Sequence, residues 1–389
     1  MRLRTGRLPA KIGEYVMAKA RANPIPYGPM AYKDREQVFL ENDRVRLTLL
    51  PHGGHIAAMT LKANGVNPLW DPPWDTIEPS SYGPGSHPQF GRGPEARLLA
   101  GIVGHNLCFD FFGPPSEAEA AAGLTVHGEA SVANWDVEAD NQELNATAEL
   151  PMSGMRIERT LRLNRASQVV VVTETAENLT AVDRPVGWTQ HVTLGPPFLA
   201  KGKTVFHLPA TRSKVLPAVF SPGYDRFRQG AEFDWPMAPL ATGGEADLRV
   251  TVAAPVSGAY TAHLMSRTVE HAYFTAFDPD LRTVFGYIWK RSDFPWLGIW
   301  EENHSREPQP WGSQALTRGM EFGVSPFPES RRAMVDRAPL FGEAGFRWLP
   351  ARGRVRVEYC LFIAAAEGPV ESVEWAGDRL HGAGFELAI

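Results

Sequence analysis

The sequence predicts an all-β protein: one large antiparallel β-sandwich with few short helices. Three observations carry this. Apolar residues alternate with polar ones over 45–49, 157–163 and 355–363, the pattern of strands with one buried face. The 33 Pro and 36 Gly of the 389 residues recur every few positions, which limits long helices and suits short strands joined by turns. Strand patterns never alternate regularly with long helical ones, as a parallel α/β sheet would require.

Taken in order, residues 1–35 read as an N-terminal extension. Ile12, Tyr15, Val16 and Ala20 fall on one helical face, so a helix over 8–20 is expected. That face needs a cover, either the main domain or a second subunit, and it is the one hint of a homo-oligomer. Strands begin near Gln37. Val45, Leu47 and Leu49 alternate with Arg44, Arg46 and Thr48, then Pro51-His52-Gly53-Gly54 turns, 56–61 forms the next strand, and Asn64-Gly65 turns again. Residues 71–97 are rich in Pro, Gly and Ser and form a long loop of the kind that tends to be functional. Ser116 with Glu119 makes a capping box before a short helix closed by Gly123. Ile157, Leu161 and Leu163 share a face on which Arg159 is the exception; 164–167 turns and 169–175 returns, a hairpin. Phe285, Tyr287 and Trp289 share one face, as do Val355, Val357, Tyr359, Leu361 and Ile363. No linker-like composition shift interrupts the strands, so 36–389 reads as a single domain.

Composition excludes several functions. A net charge of −5, with no Lys/Arg run beside aromatics, argues against a nucleic-acid partner. No apolar stretch is long enough to span a membrane, and the basic N-terminus lacks the apolar core of a secretory signal, so a cytoplasmic location is expected. Cys108 and Cys360 sit in apolar runs and read as buried free thiols. His52 and His55 flank a Gly-Gly pair without a third ligand at matching spacing, so a turn is expected there and no metal.

Four segments could carry chemistry. His127-Gly128 follows Asn106 and the run Leu107 to Gly113; the glycine leaves room for close approach of a ligand or backbone. His191 lies in an apolar strand with Trp188 and Gln190, a ring and an amide that could serve a ligand. Glu321 stands between Met320 and Phe322, flanked by Gly319 and Gly323; burial there would raise its pKa as a general base needs, unless Arg318 pairs with it. Trp296, Trp300 and Trp311, beside Glu301, Glu302 and Asn303, would suit a sugar site, with aromatic faces against the C–H face of a pyranose and polar groups on its hydroxyls. Each segment also reads as ordinary packing: a hydrogen-bonded core histidine, a structural salt bridge, an aromatic core corner.

Together and in this order, the segments resemble the galactose mutarotase-like superfamily. VRLTLLPHGGHIAAMTLKANGVNPL (45–69) is similar to its opening strands. LCFDFFG (107–113) followed by His127-Gly128 resembles the run before the His-Gly motif of the glucose-6-phosphate 1-epimerase-like branch. Gln190-His191 falls at the second family histidine and Glu321 at the catalytic glutamate. The segment 320–327 resembles bacterial members of no assigned activity, and the likeness spans about residues 37–365. Departures lie in the shell: Ile102 or Val103 stands where the branch carries an Arg, with Arg97 a substitute elsewhere, and Val192-Thr193 replaces a Tyr-Phe pair.

The resemblance implies a large mutarotase-type sandwich and an aldose 1-epimerase, an isomerase that opens a cyclic sugar and recloses it on the other face. Glu321 would be the base, His191 the acid and His127 a donor toward the ring oxygen. His105, Asn106, Asp110, Trp188, Gln190, Trp296 and Trp300 would contact the sugar. The partner is a small carbohydrate; no cofactor is required. Two other readings stay open. One is a carbohydrate-binding protein without chemistry. The other is a lyase or other sugar-modifying enzyme on a similar sandwich, for which Tyr287, Lys290 and Arg291 are available.

Overall fold

The structure, a computed structural model, describes residue 32, residues 34–382 and residues 384–389. The helix expected over 8–20, and the subunit contact tied to it, lie outside the described residues. Strands dominate, and they form two large sheets. From edge to edge the larger runs Val38–Glu41, Val45–Leu50, His55–Leu61, His105–Asp110, Arg184–Leu194, Leu316–Gly323, Trp296–Asn303, Ser257–Met265, Ala210–Val215 and Glu232–Asp234, with Arg347–Leu349 paired on Arg184–Leu194. The smaller runs Val205–His207, His271–Asp278, Thr283–Lys290, Arg354–Ala365, Val169–Asn178, Met155–Leu163, Glu143–Leu150 and Asp136–Ala139. Neighbouring strands in both are antiparallel.

The main core lies between the sheets. Leu47, Met59, Leu107, Val192, Leu297 and Phe322 of the larger meet Ile157, Val172, Trp289 and Leu361 of the smaller. Period-two alternation thus points one face of each strand at the partner sheet. The expected hairpin pairs Met155–Leu163 with Val169–Asn178. Arg159, the exception on its apolar face, is buried there: its guanidinium meets the equally buried Glu174 at 2.8 Å and stands over the Trp135 ring at 5.1 Å. The capping box also forms, with Ser116 and Glu119 exchanging hydrogen bonds at the start of Glu117–Ala121.

A second core covers the other face of the larger sheet, built from Trp70, Leu98, Leu99, Phe112, Tyr260, Trp300, Trp311 and Phe327. Part of its cover is the long loop, which carries the short turns Pro79–Ser81 and Pro88–Phe90 and runs into the helix Ala96–Gly101. Arg35 pins this loop. Fully buried, it donates to the carbonyls of Gly101 (2.7 Å) and His52 (3.0 Å) and pairs with Glu78 (3.3 Å). Arg35, counted with the extension, therefore packs as part of the loop's support. No helix among the described residues is long and apolar enough to cross a membrane.

Candidate active site

The two central strands of the larger sheet sort their side chains by parity. In Arg184–Leu194, Trp188 and Val192 face the inter-sheet core, so Thr189, His191 and Thr193 face the second core. In Leu316–Gly323, Met320 and Phe322 face inward and Glu321 outward. The register sets His191 directly opposite Glu321, where cross-strand side chains meet. His191 Nε2 and Glu321 Oε1 are 3.0 Å apart, and His191 Nδ1 lies 3.0 Å from Thr193 Oγ1.

His127 comes from a turn rather than a strand. Its backbone is left-handed (φ +70°), its N–H donates to Gly113 O, and its carbonyl accepts from Phe109 N. The room at Gly128 serves backbone: φ is +81°, and a Cβ there would lie 2.1 Å from Phe109 O. Gly128→Ala is therefore expected to cost about 1–3 kcal/mol from backbone strain alone, read as a lower Tm; an unchanged Tm would contradict this account of the turn. Gly113 N–H donates to His127 Nδ1 at 3.1 Å, so the neutral ring carries its proton on Nε2. The ring stacks on Phe112 (centroids 5.3 Å) and lies 5.2 Å from the His191 ring.

These groups line a cavity of about 280 Å³ together with Phe112, Tyr260, Trp300, Trp311 and Arg306. The Trp300 ring lies 5.7 Å from that of His191. The indole nitrogens of Trp300 and Trp311 and the Tyr260 hydroxyl are buried without a hydrogen-bond partner among the described residues. Unsatisfied polar groups in a cleft wall are ordinarily met by water or ligand. Arg306 lies over the Trp311 ring at 4.7 Å. The buried Glu302 holds it, accepting from Ser305 N (2.6 Å) and Arg306 N (3.2 Å) and pairing with Arg306 Nε (3.3 Å).

Burial dominates the electrostatics. It pushes the Glu321 carboxyl well above the usual range, against the pull of Arg306. It pushes His191 down to about 4, and His127 well below an ordinary histidine, where the neighbouring His191 and Arg306 add to it. Both shifts favour the uncharged forms, a protonated Glu321 carboxyl facing a neutral His191 ring.

The structure thus brings His127, His191, Glu321 and Trp300 together, with Trp311 in the same wall. Asn106 lies in the same row of the sheet, opposite His191 on its other side; it is buried, off the cavity wall, and its Nδ2 has no partner among the described residues. The other expected contacts need correction. His105, Trp188 and Gln190 have inward parity and form a hydrogen-bonded network in the inter-sheet core. His105 meets Tyr287 (3.0 Å) and Gln190 (2.9 Å), while Gln190 (2.6 Å) and Trp188 (3.0 Å) donate to Glu174. Asp110 is taken by Arg331 and Arg184. Trp296 donates to Ala344 O at 3.0 Å, beside Phe341. Arg97 donates to Pro79 O, and Arg318 pairs with Glu301 rather than with Glu321. The lyase set does not converge: Tyr287 is in the core, Lys290 is exposed and Arg291 meets Glu343. His52 and His55 hydrogen-bond separately, to Asn134 and to Ser131 O. Sequence reasoning missed Arg306, Tyr260 and the role of Phe112. Arg306 had a signal, a lone cation between Trp300 and Trp311; Tyr260, in an apolar strand, had none.

No family model matches the chain, and no curated protein does. Solved structures do. The chain is similar to a candidate aldose 1-epimerase from Klebsiella pneumoniae (13% identity, TM-score 0.61, covering 84% of this chain and 78% of that one). It is also similar to one from Escherichia coli K12 (11%, 0.57, 85% and 99%) and to a galactose mutarotase-like protein from Clostridium acetobutylicum (13%, 0.56, 86% and 97%). At such identities the likeness establishes architecture and not activity: the fold is galactose mutarotase-like.

Proposed function

We propose that this cleft interconverts the anomers of an aldose, as an aldose 1-epimerase does, by general acid–base catalysis. The observation that carries the reading is the His191–Glu321 pair, 3.0 Å apart, in a cleft walled by aromatic rings. Mutarotation needs a base for the anomeric hydroxyl and an acid for the ring oxygen. Moving the shared proton from Glu321 to His191 makes a carboxylate and an imidazolium in one step, with no change of net charge. The sugar then separates the two, its anomeric hydroxyl on Glu321 and its ring oxygen near the imidazolium. His127 Nε2–H is a second donor toward that oxygen. Trp300 and Phe112 offer faces to the apolar side of the pyranose.

The active form holds one proton between the two groups, so the profile of kcat/KM against pH should have two limbs. Below about pH 4, His191 is protonated beside a protonated Glu321 and no base remains. Above the raised Glu321 value the pair has lost its proton and no acid remains. In His191→Ala the remaining turnover needs the carboxylate alone, so the acid limb should move up, above the ordinary carboxylate range. A limb of His191→Ala at an ordinary carboxylate value would contradict the burial argument.

The deciding experiment is an NMR anomer-exchange screen over aldoses, uronates and sugar phosphates, with wild type and Glu321→Gln. Accelerated exchange that the substitution abolishes supports the reading. Sugar binding without exchange in the wild type would make this a binding protein.

A further inference from the structure

The cleft does not end at its aromatic wall. Glu95, Phe220, Arg306 and Trp311 also line a second, shallower hollow of about 530 Å³, which runs outward past Ser221 and Tyr224 on one side and Gln309 on the other. Tyr224 is 40% exposed at its rim, with its ring open to the hollow.

Both walls are held in place. The Asp225 carboxylate accepts from Phe220 N (3.1 Å) and Ser221 N (2.8 Å), closing the turn that carries Phe220 and Tyr224. Gly258 N–H donates to Tyr224 O, and Arg226 N–H to Gly258 O, which tie this turn to the strand Ser257–Met265. Opposite, Trp311 N–H donates to Pro308 O and Ser313 N–H to Arg306 O, while Glu302 fixes Arg306 from below. A preformed hollow with an aromatic rim, an amide and hydroxyls matches the chemistry of a pyranose ring.

We propose that this hollow is a second sugar subsite, and that the natural ligand is a reducing oligosaccharide rather than a free monosaccharide. The proposal rests on the epimerase reading of the inner cleft. Ring opening consumes nothing and needs a free anomeric hydroxyl at Glu321, so the added unit is linked through another hydroxyl of the reacting sugar. It leaves the cleft over Trp311 and Arg306, which lie at the junction, and stacks on Tyr224. The 280 Å³ inner cavity holds the reacting ring.

The test compares reducing disaccharides (maltose, lactose and cellobiose) with glucose and galactose, in wild type and Tyr224→Ala. The readout is the disaccharide-to-monosaccharide ratio of kcat/KM for anomer exchange. Loss of one stacking face should lower that ratio by about three- to tenfold for the preferred disaccharide. The ring is at the surface, so the variant should fold. Gln309→Ala gives an independent reading from the opposite wall, with the same direction expected. A ratio unchanged in both variants, or monosaccharide exchange with every disaccharide excluded, overturns the subsite. If no sugar exchanges at all, the epimerase reading has failed. The subsite is then judged by calorimetric affinity: a disaccharide preference lost in Tyr224→Ala upholds it, and none in the wild type overturns it.

Discussion

Glu321→Gln is expected to slow anomer exchange by about 10²–10⁴-fold, the usual worth of one positioned acid–base group. The amide keeps the shape of the side chain and can still hydrogen-bond His191 across the strand pair, so sugar affinity should change far less than turnover. The substitution should also raise stability. Burial lifts the carboxyl above its unfolded value of 4.5, so between the unfolded and the folded value the folded chain holds a proton that the unfolded chain has released. That mismatch costs stability, and the cost grows as pH rises from the unfolded value toward the folded one. Glutamine carries no such cost. The variant should therefore melt above the wild type at pH 7 and lose the advantage as pH falls below about 4.5. Exchange at the wild-type rate would remove Glu321 as base. Slower exchange with a Tm difference that does not depend on pH would leave the base in place and contradict its raised pKa.

The sequence made the fold legible and picked out three residues that the structure gathers in one cleft, but only part of the shell around them. Strand alternation at 45–49, 157–163 and 355–363 reports burial on one face, and that physics is local. His127, His191 and Glu321 come from three separate segments, and a shared order of motifs pointed to each. The contact residues failed for a reason alternation could have supplied. Gln190 and Trp188 lie one and three residues before His191, and in a strand residues an odd number apart face opposite sides of the sheet. The same parity hides His105, which shares its face with Leu107 and Phe109. Arg306 reaches the cleft through a turn fastened by Glu302, and no local pattern announces where a turn will aim a side chain.

The misassigned residues turn out to build the support beneath the cleft, and their order can be read from donors and acceptors. Glu174 is a carboxylate, so the Gln190 amide must turn its Nε2 toward it and its oxygen toward His105. His105 then donates from Nε2 and accepts from the Tyr287 hydroxyl at Nδ1. Burial, which holds His105 well below an ordinary histidine pKa, keeps the ring neutral as this chain requires. Gln190 is thereby fixed on the inner face directly next to His191 on the outer one, so the network positions the strand without touching the cleft.

Glu174→Ala should therefore be among the most damaging single changes, costing about 3–5 kcal/mol. It leaves the Arg159 guanidinium buried without its counter-charge. It also strips the acceptor from Trp188 Nε1 (3.0 Å) and Gln190 Nε2 (2.6 Å), and leaves the Tyr359 hydroxyl, now 2.9 Å from Glu174, only Gln190 Oε1 at 3.1 Å. An isolated buried ion pair can often be replaced by apolar residues at little cost, because both desolvation penalties vanish together. Here that replacement should recover only part of the loss. In Arg159→Met combined with Glu174→Leu the charges are gone, but the indole and amide donors remain buried and unpaired, at about 1–3 kcal/mol each. Urea unfolding of the wild type, the single variant and the double variant reads this directly. If the double variant matched the wild type, Arg159 and Glu174 would be a self-contained pair, and the cleft's floor would not depend on the network that Glu174 gathers.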